Sequence, residues 1–317
     1  MKKLVSLVLA LMLCLSCVSA LAAEAWTVTC PWAPSGVAAM VNQKAASLST
    51  TYSQDYVLVA NAEKGDTATI NSWLTKYTEA DPQMCFIGEG MFGITAILDP
   101  ERMNFTYDDF EYVENLYSSI FVASARKELG LTSIDALKAY LEEGNQIMVG
   151  TNGATGSEAF LAAALIGAMG YGDQFYLIPY ESAAEAAQAV ARGEVDIAVS
   201  HQSQILETWQ QGGVDVFAAF DGEPIAQGPF KGVEGVGQYG YPYFRNRCFI
   251  FAKAGADEQK IADLKALYAQ ILTDEEMVDW LNNTMLLEAD MMTEEEVIAH
   301  IDNVKNIVDE YYDLVAE

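Results

Sequence analysis

From Trp26 onward, short apolar runs alternate with stretches of helical periodicity along the chain. Residues 26–30, 84–87 and 147–150 are typical strand segments, and residues 37–48 have a helical pattern. We find neither low-complexity segments nor a repeat of fixed period. Strands that alternate with helices form a parallel sheet whose crossover helices cover its faces. The sequence therefore predicts an α/β fold.

The first residues predict export. Lys2 and Lys3 precede an apolar run over residues 4–18 that ends in an Ala-x-Ala pattern, which is typical of a signal peptide over residues 1–23. A permanent membrane anchor is the alternative, but the run is short for a bilayer. Lipid anchoring through Cys17 is a second alternative. We expect a periplasmic protein.

Length and charge narrow the classes of partner. A chain of 317 residues exceeds what one core usually organises, which favours two domains. Asp and Glu number 45 against 17 Lys and Arg, and the net charge of −28 excludes nucleic acid as a partner. A field of this sign repels anions at long range. A carboxylate ligand would therefore need local positive potential, which backbone amides and helix N-termini supply.

Glycine lies between a strand and a helix in three loops, at residues 31–36, 88–90 and 150–157. Each loop can direct unpaired N–H groups at a negative ligand atom, although turn geometry alone also explains such glycines. Their recurrence favours a binding function. The sequence has no Gly-x-Gly-x-x-Gly or Walker pattern, so we expect a small ligand and no nucleotide or other cofactor.

Candidate catalytic and metal-ligating residues are few. His201 follows a predicted strand over residues 195–199, at the end of an α/β sheet where ligands bind, whereas His300 is expected on a solvated helix face. No nucleophile elbow accompanies His201, so a pocket-lining role is favoured over catalysis, and too few ligands are present for zinc. Cys30, Cys85 and Cys248 match no metal motif; they are core thiols or, alternatively, include one disulfide.

The sequence resembles the substrate-binding proteins of tripartite tricarboxylate transporters, the TctC or Bug family. The resemblance covers nearly the whole chain after the signal peptide. It rests on Pro31-Trp32-Ala33-Pro34-Ser35-Gly36, the loop at residues 150–157, Ile178-Pro179-Tyr180, Arg192-Gly193-Glu194-Val195-Asp196 and the stretch over residues 249–272.

The resemblance implies a two-lobed periplasmic-binding-protein fold of the type 2 kind, with two interdomain crossovers. Lobe 1 would then comprise residues 24–121 and 247–317, and lobe 2 residues 122–246. It also implies that loops of both lobes hold a ligand carboxylate through backbone amides and bridging water.

Several positions depart from the family pattern. Ser35 replaces a usual glycine, and Ala39 and Ala159 replace polar residues. A carboxylate at Glu89 would repel an anion unless it faces away, or it would meet a cationic group of an amino-acid-like ligand. Arg245 and Arg247 lie at the return crossover, where a guanidinium can pair with a ligand carboxylate or with an acid of the protein.

We therefore expect a non-enzymatic protein, monomeric by default, that captures a small organic acid or amino-acid-like solute for the membrane permease subunits of a tripartite transporter. An exported hydrolase using His201 and a sensory ligand-binding component are the alternatives. No metal or catalytic residue is predicted. The candidate ligand-binding residues are Trp32, Pro34, Ser35, Gly36, Val37, Glu89, Thr151, Asn152, Gly153, Thr155, Gly156, Ser157, Tyr180, His201 and Arg247.

Overall fold

The structure is a computed structural model that describes residues 23–316. The predicted signal peptide, apart from Ala23, and Cys17 lie outside the described residues. Among the described helices, none has the length and apolar character needed to span a bilayer.

Within residues 23–316, ten strands form two five-stranded sheets. The first sheet has the order β2-β1-β3-β10-β4, with β1 parallel to β2 and β3 and with β10 antiparallel to β3 and β4. Its strands are β1 (Glu24–Cys30), β2 (Tyr56–Ala62), β3 (Gln83–Gly88), β4 (Phe110–Ser119) and β10 (Asn246–Lys253).

The second sheet has the order β7-β6-β8-β5-β9, with β6 parallel to β7 and β8 and with β5 antiparallel to β8 and β9. Its strands are β5 (Phe121–Arg126), β6 (Ile147–Asn152), β7 (Phe175–Tyr180), β8 (Ile197–His201) and β9 (Val214–Ala219).

Helices cover both sheets. The α-helices are α1 (Val37–Tyr52), α2 (Thr67–Lys76), α3 (Ala96–Leu98), α4 (Ile134–Glu142), α5 (Ser157–Ala168), α6 (Ala183–Ala191), α7 (Gln202–Gln210), α8 (Glu258–Leu272), α9 (Glu275–Asp279), α10 (Glu294–Tyr311) and α11 (Asp313–Ala316). Two π-helical segments are Met91–Thr95 and Trp280–Met285, and four 3₁₀ turns are Pro100–Arg102, Tyr107–Asp109, Lys127–Leu129 and Val236–Tyr239.

The chain passes between the two sheets twice. It leaves the first sheet at the end of β4 and enters the second at β5, with Ile120 alone between them, and it returns between β9 and β10. Two sheets joined by two crossovers confirm the predicted two-lobed periplasmic-binding-protein fold.

The last long helix packs against both lobes. Val297 and Ile301, near the start of α10, join the aromatic cluster of the first lobe. Val304 and Val308, further along the helix, belong to the apolar core of the second lobe. The turns of this one helix therefore contribute to two cores.

Several local predictions need correction. The capping-box patterns of the sequence predict N-caps at Thr132 and Thr273, but Ser133 caps α4 by accepting a hydrogen bond from the Ala136 amide, and Asp274 caps α9. The same pattern predicts N-caps at Ser182 and Thr293, and both are confirmed.

His300 is buried rather than solvated, with 8% of its surface exposed. The periodicity of α10 directs its ring inward toward Phe249, and the Arg247 guanidinium donates to its Nδ1 atom at 3.0 Å. A guanidinium has only donors, so the proton of this neutral ring is on Nε2. Burial, with a smaller contribution from the Arg247 charge, lowers the pKa of His300 to about 3.

Cys30, Cys85 and Cys248 are free and buried within the described part of the chain. Burial raises the pKa of Cys30 to about 11 and raises the pKa values of the other two thiols well above 9. Thiols in such surroundings are unreactive. The three cysteines are therefore core thiols, the first of the two alternatives that the sequence left open.

Candidate functional site

A cleft of about 640 Å³ lies between the two sheets. Four strands deliver residues to it from their carboxyl ends: β1 leads to Trp32, β3 to Glu89, β6 ends at Asn152 and β8 ends at His201. Carboxyl ends of strands are the place where open α/β sheets bind ligands. The cleft is therefore the candidate site.

The structure brings most of the predicted ligand-binding residues together in this cleft. Its lining includes Trp32, Ser35, Gly36, Val37, Glu89, Asn152, Thr155, Gly156, Ser157 and His201. The predicted residues outside the lining are Pro34, Thr151, Gly153, Tyr180 and Arg247.

Two of the residues outside the lining shape the second-lobe loop. Thr151 is fully buried, and its hydroxyl donates to the Gly153 carbonyl at 2.8 Å. Gly153 has φ = +73°, in the left-handed region that glycine adopts without strain. These two residues set the conformation of the loop that leads to Gly156.

Two helices begin at the cleft without a side-chain cap. Gly36 precedes α1 in the first lobe and Gly156 precedes α5 in the second, and neither helix has a side-chain cap within the described structure. Uncapped N–H groups at a helix start attract negative charge. Crowding requires glycine at position 156, because a Cβ atom there would lie 2.7 Å from the Asn152 carbonyl oxygen.

Glu89 is buried at the junction of the lobes, with 1% of its surface exposed. Its carboxylate accepts from the Arg247 amide at 2.9 Å and from the Asn246 side-chain amide at 3.0 and 3.2 Å. The Ser157 hydroxyl, from the opposite lobe, lies 3.5 Å from its Oε1 atom. Burial raises the pKa of Glu89 to about 7 despite these hydrogen bonds.

Glu158, which the sequence did not predict as a site residue, also lines the cleft. It lies in the first turn of α5 with 4% of its surface exposed. Burial raises its pKa to about 7, and the charge of Glu89 adds to the shift. An acid in a first helical turn normally indicates only a favourable dipole contact, so the sequence offers no signal that this carboxyl would be enclosed.

His201 is held between a hydroxyl and an aromatic ring. Its Nδ1 atom lies 2.8 Å from the Ser119 Oγ atom, and its ring stacks on Phe121 at 4.4 Å. Burial lowers its pKa to about 4, so the ring is neutral near pH 7. Ser119 is 1% exposed and is therefore poorly placed to act as a nucleophile. The pair connects β4 to β8 across the first crossover.

The two arginines at the return crossover bind acids of the protein. Arg245 forms a two-pronged ion pair with Asp221 at 2.5 and 3.1 Å and also contacts Glu288 at 2.6 Å. Arg247 pairs with Asp290 at 2.7 Å. Neither guanidinium lines the cleft. Of the two roles considered for these arginines, the structure therefore favours pairing with acids of the protein over pairing with a ligand carboxylate.

The electrostatic character of the cleft is thus unusual for an anion site. Among the described residues that line it, none is a lysine or an arginine, whereas four are acids. Nor do the described residues contain a group of three or more His, Cys, Asp or Glu side chains placed to hold a metal. Positive potential in the cleft comes from helix N-termini.

At the level of sequence, no family model matches the chain and no curated protein matches it. Solved structures match its fold over nearly its full length. A TctC solute-binding protein from Polaromonas superposes with a TM-score of 0.74 at 15% identity, covering 90% of this chain and 98% of that protein. The chain has the fold of the TctC and Bug solute-binding proteins.

Two further structures carry ligands. A protein from R. palustris, solved with adipate, has a TM-score of 0.74 at 15% identity over 92% of this chain and 97% of its own. MatC from Rhodopseudomonas palustris, with bound malate, has a TM-score of 0.68 at 17% identity over 92% and 98%. At these identities the likeness shows the fold, and the cleft's own residues must indicate the ligand.

Proposed function

We propose that the chain is an extracytoplasmic solute-binding protein of the TctC or Bug kind, which captures a small carboxylate-containing solute between its lobes and delivers it to a tripartite tricarboxylate-type membrane transporter. The observation that carries the proposal is the cleft between the two sheets, where uncapped helix N-termini from both lobes converge. Structures of the same fold solved with adipate and malate support a carboxylate.

The mechanism is capture without chemistry. Ligand enters while the lobes are apart, and loops of both lobes then close on it by rotation about the two crossovers. The contacts from Ser157 to Glu89 and from Ser119 to His201 join groups on opposite sides of the junction, so they stabilise the closed form. The permease would recognise the surface of the closed form.

Domain limits and location follow the same proposal. Residues 24–121 and 247–317 would form lobe 1 and residues 122–246 lobe 2, with α10 resting on both. The protein would act in the periplasm as a monomer. Ser119, the partner of His201, is enclosed, and this supports binding over hydrolysis.

A thermal-shift screen tests the proposal. The protein beginning at Ala23 is unfolded in the presence of di- and tricarboxylates, aromatic acids and amino acids, because a ligand that binds only the folded state raises Tm. We expect a rise with at least one class, and the recovered ligand should be chemically unchanged. Silence across the panel, or turnover of the ligand, would contradict the proposal.

A further inference from the structure

The acids of the cleft differ in their surroundings. Asp66 and Glu181 lie toward solvent, and Asp66 faces the Arg102 guanidinium at 3.6 Å. Glu89 and Glu158 are both at least nine-tenths buried, and neither forms an ion pair with a lysine or arginine in the described part of the chain. The buried pair is therefore the part of the cleft that requires explanation.

Glu89 and Glu158 approach each other from opposite lobes. Glu89 follows β3 of the first sheet, while Glu158 is the neighbour of Ser157, whose hydroxyl contacts Glu89. Burial is the main cost of ionising each acid, and the charge of Glu89 adds to that cost at Glu158. A pair of enclosed carboxylates that both face a solute cleft is stabilised by a cation placed between them.

Glu158 also occupies the start of α5. Its Oε2 atom lies only 3.3 Å from the point where a Cβ atom on Gly156 would be. The N-terminus of α5 therefore already has a carboxylate beside it, supplied by the chain. The N-terminus of α1, at Gly36, has no acid in its first turn and remains available to a ligand carboxylate.

We infer that the solute is a zwitterion whose protonated amine lies between the carboxylates of Glu89 and Glu158 and whose own carboxylate lies at the N-terminus of α1. The inference rests on the proposed function and specifies its substrate class as amino-acid-like compounds. A charge-assisted hydrogen bond from an ammonium to each carboxylate satisfies both acids at once. A plain dicarboxylate would instead bring a further negative charge against them.

The groups packed against each acid determine how ligand affinity should depend on pH. Around Glu89 these are Arg247, Tyr117, Cys248 and Glu158, and around Glu158 the charged neighbour is Glu89. In the ligand-free protein both carboxyls have pKa values near 7. An ammonium requires them ionised, so its affinity should rise from pH 5.5 to pH 8, because fewer protons must then be released on binding.

The test uses probes that differ only in the amine. Calorimetry at pH 8 measures Kd for L-glutamate against glutarate, L-aspartate against succinate, 4-aminobutyrate against butyrate and L-phenylalanine against 3-phenylpropionate. We expect the amine-bearing member of at least one pair to bind about tenfold or more tighter. Glu89→Gln and Glu158→Gln should each abolish most of that preference. Glu142→Gln, an exposed position on α4 with the same change of charge, should preserve it.

The outcomes separate the two proposals. If deaminated acids bind as tightly as their amine partners, the zwitterion is overturned while the solute-binding function stands. If no probe binds, the zwitterion is overturned, and the broader thermal-shift screen decides the solute-binding function. If a Gln variant fails to fold, the pH profile of the unaltered protein decides: affinity that rises with pH supports the inference, and affinity that is flat or falls overturns it.

Discussion

The Ser157 hydroxyl lies 3.5 Å from the Glu89 carboxylate and joins the two lobes across the cleft. Ser157 begins α5 of the second lobe, and Glu89 follows β3 of the first. The bond must break whenever the lobes separate. It therefore contributes to the closed form and not to the open one.

Ser157→Ala should weaken ligand binding with little loss of stability. A single hydrogen bond is worth about 0.5–1.5 kcal/mol, so we expect a threefold to tenfold rise in Kd. Calorimetry with whichever ligand the screen identifies measures this. Ser47→Ala, which removes an exposed bond to the Lys44 carbonyl, is the control and should leave Kd unchanged. An equal effect of both substitutions would contradict a closing role for Ser157.

Arg245→Lys should destabilise the fold. Arg245 binds Asp221 with two nitrogens and contacts Ser118 and Glu288, and a lysine cannot reproduce that fork. We expect a loss of about 2–4 kcal/mol in the free energy of unfolding, measured with urea. Arg192→Lys removes a similar two-pronged contact to exposed Glu194 and should leave the free energy of unfolding nearly unchanged. Equal losses in the two variants would show that burial of the Arg245 pair has no bearing on stability.

Glu158→Gln should stabilise the ligand-free protein at pH 8 and leave its stability unchanged near pH 4.5. The folded-state pKa of Glu158, about 7, exceeds its ordinary value of 4.5, so the unfolded chain ionises first as pH rises. The folded protein thus loses stability between those two values, and a glutamine avoids the loss.

The expected gain above pH 7 is about 2–3 kcal/mol. Urea unfolding at intervals from pH 4.5 to pH 8 measures it, with Glu142→Gln as the matched control at an exposed site. A gain that is constant with pH would mean that ionisation of Glu158 is not its source.

Gly156→Ala should weaken binding strongly while the protein stays folded. Its added methyl group would lie 2.7 Å from the Asn152 carbonyl oxygen, so the loop before α5 must shift, and this loop lines the cleft. Calorimetry should detect at least a tenfold loss of affinity, since a misplaced loop forfeits about 1.4 kcal/mol or more. Circular dichroism checks the fold. Unaltered affinity would indicate that the loop does not hold the ligand.

The three core thiols should react slowly with thiol reagents in the native protein. A chain that begins at Ala23 should react slowly with Ellman's reagent when folded, because Cys30, Cys85 and Cys248 are buried and their pKa values are raised. In denaturant without reductant all three should react. Fewer thiols in denaturant would reveal a disulfide.

Periodicity predicted the fold class and most elements, because strands and helices with one buried face leave a regular apolar pattern. Strand β4 has no recognisable strand pattern in the sequence, although its last residues are almost wholly buried. Glu111, Glu114 and Asn115 interrupt its apolar run. The cause is tertiary: Asn115 and Glu114 bind backbone groups of residues 290–292, far away in the sequence.

The sequence was sufficient to predict which loops line the cleft, because the order of strands and helices determines where the backbone lies. The loops after β1 and β3 had to lie at one edge of the first sheet and those after β6 and β8 at one edge of the second, because parallel strands end at the same edge of a sheet. The direction of long side chains was not predictable in this way. Arg247 turns to Asp290 and His300, whereas Glu158 is enclosed among groups from both lobes. Such outcomes depend on contacts between segments distant in sequence.

Helix α10 packs on the first lobe through Val297 and Ile301 and on the second through Val304 and Val308. Val304 also packs closely on the first lobe, because a Cβ atom on Gly93 would lie 2.5 Å from it. Such close packing leaves the helix little room to slide. Rotation of the lobes about the two crossovers must therefore accommodate a helix that is held on both sides. This helix limits how far the lobes can separate, and with it the width of the solute that can enter.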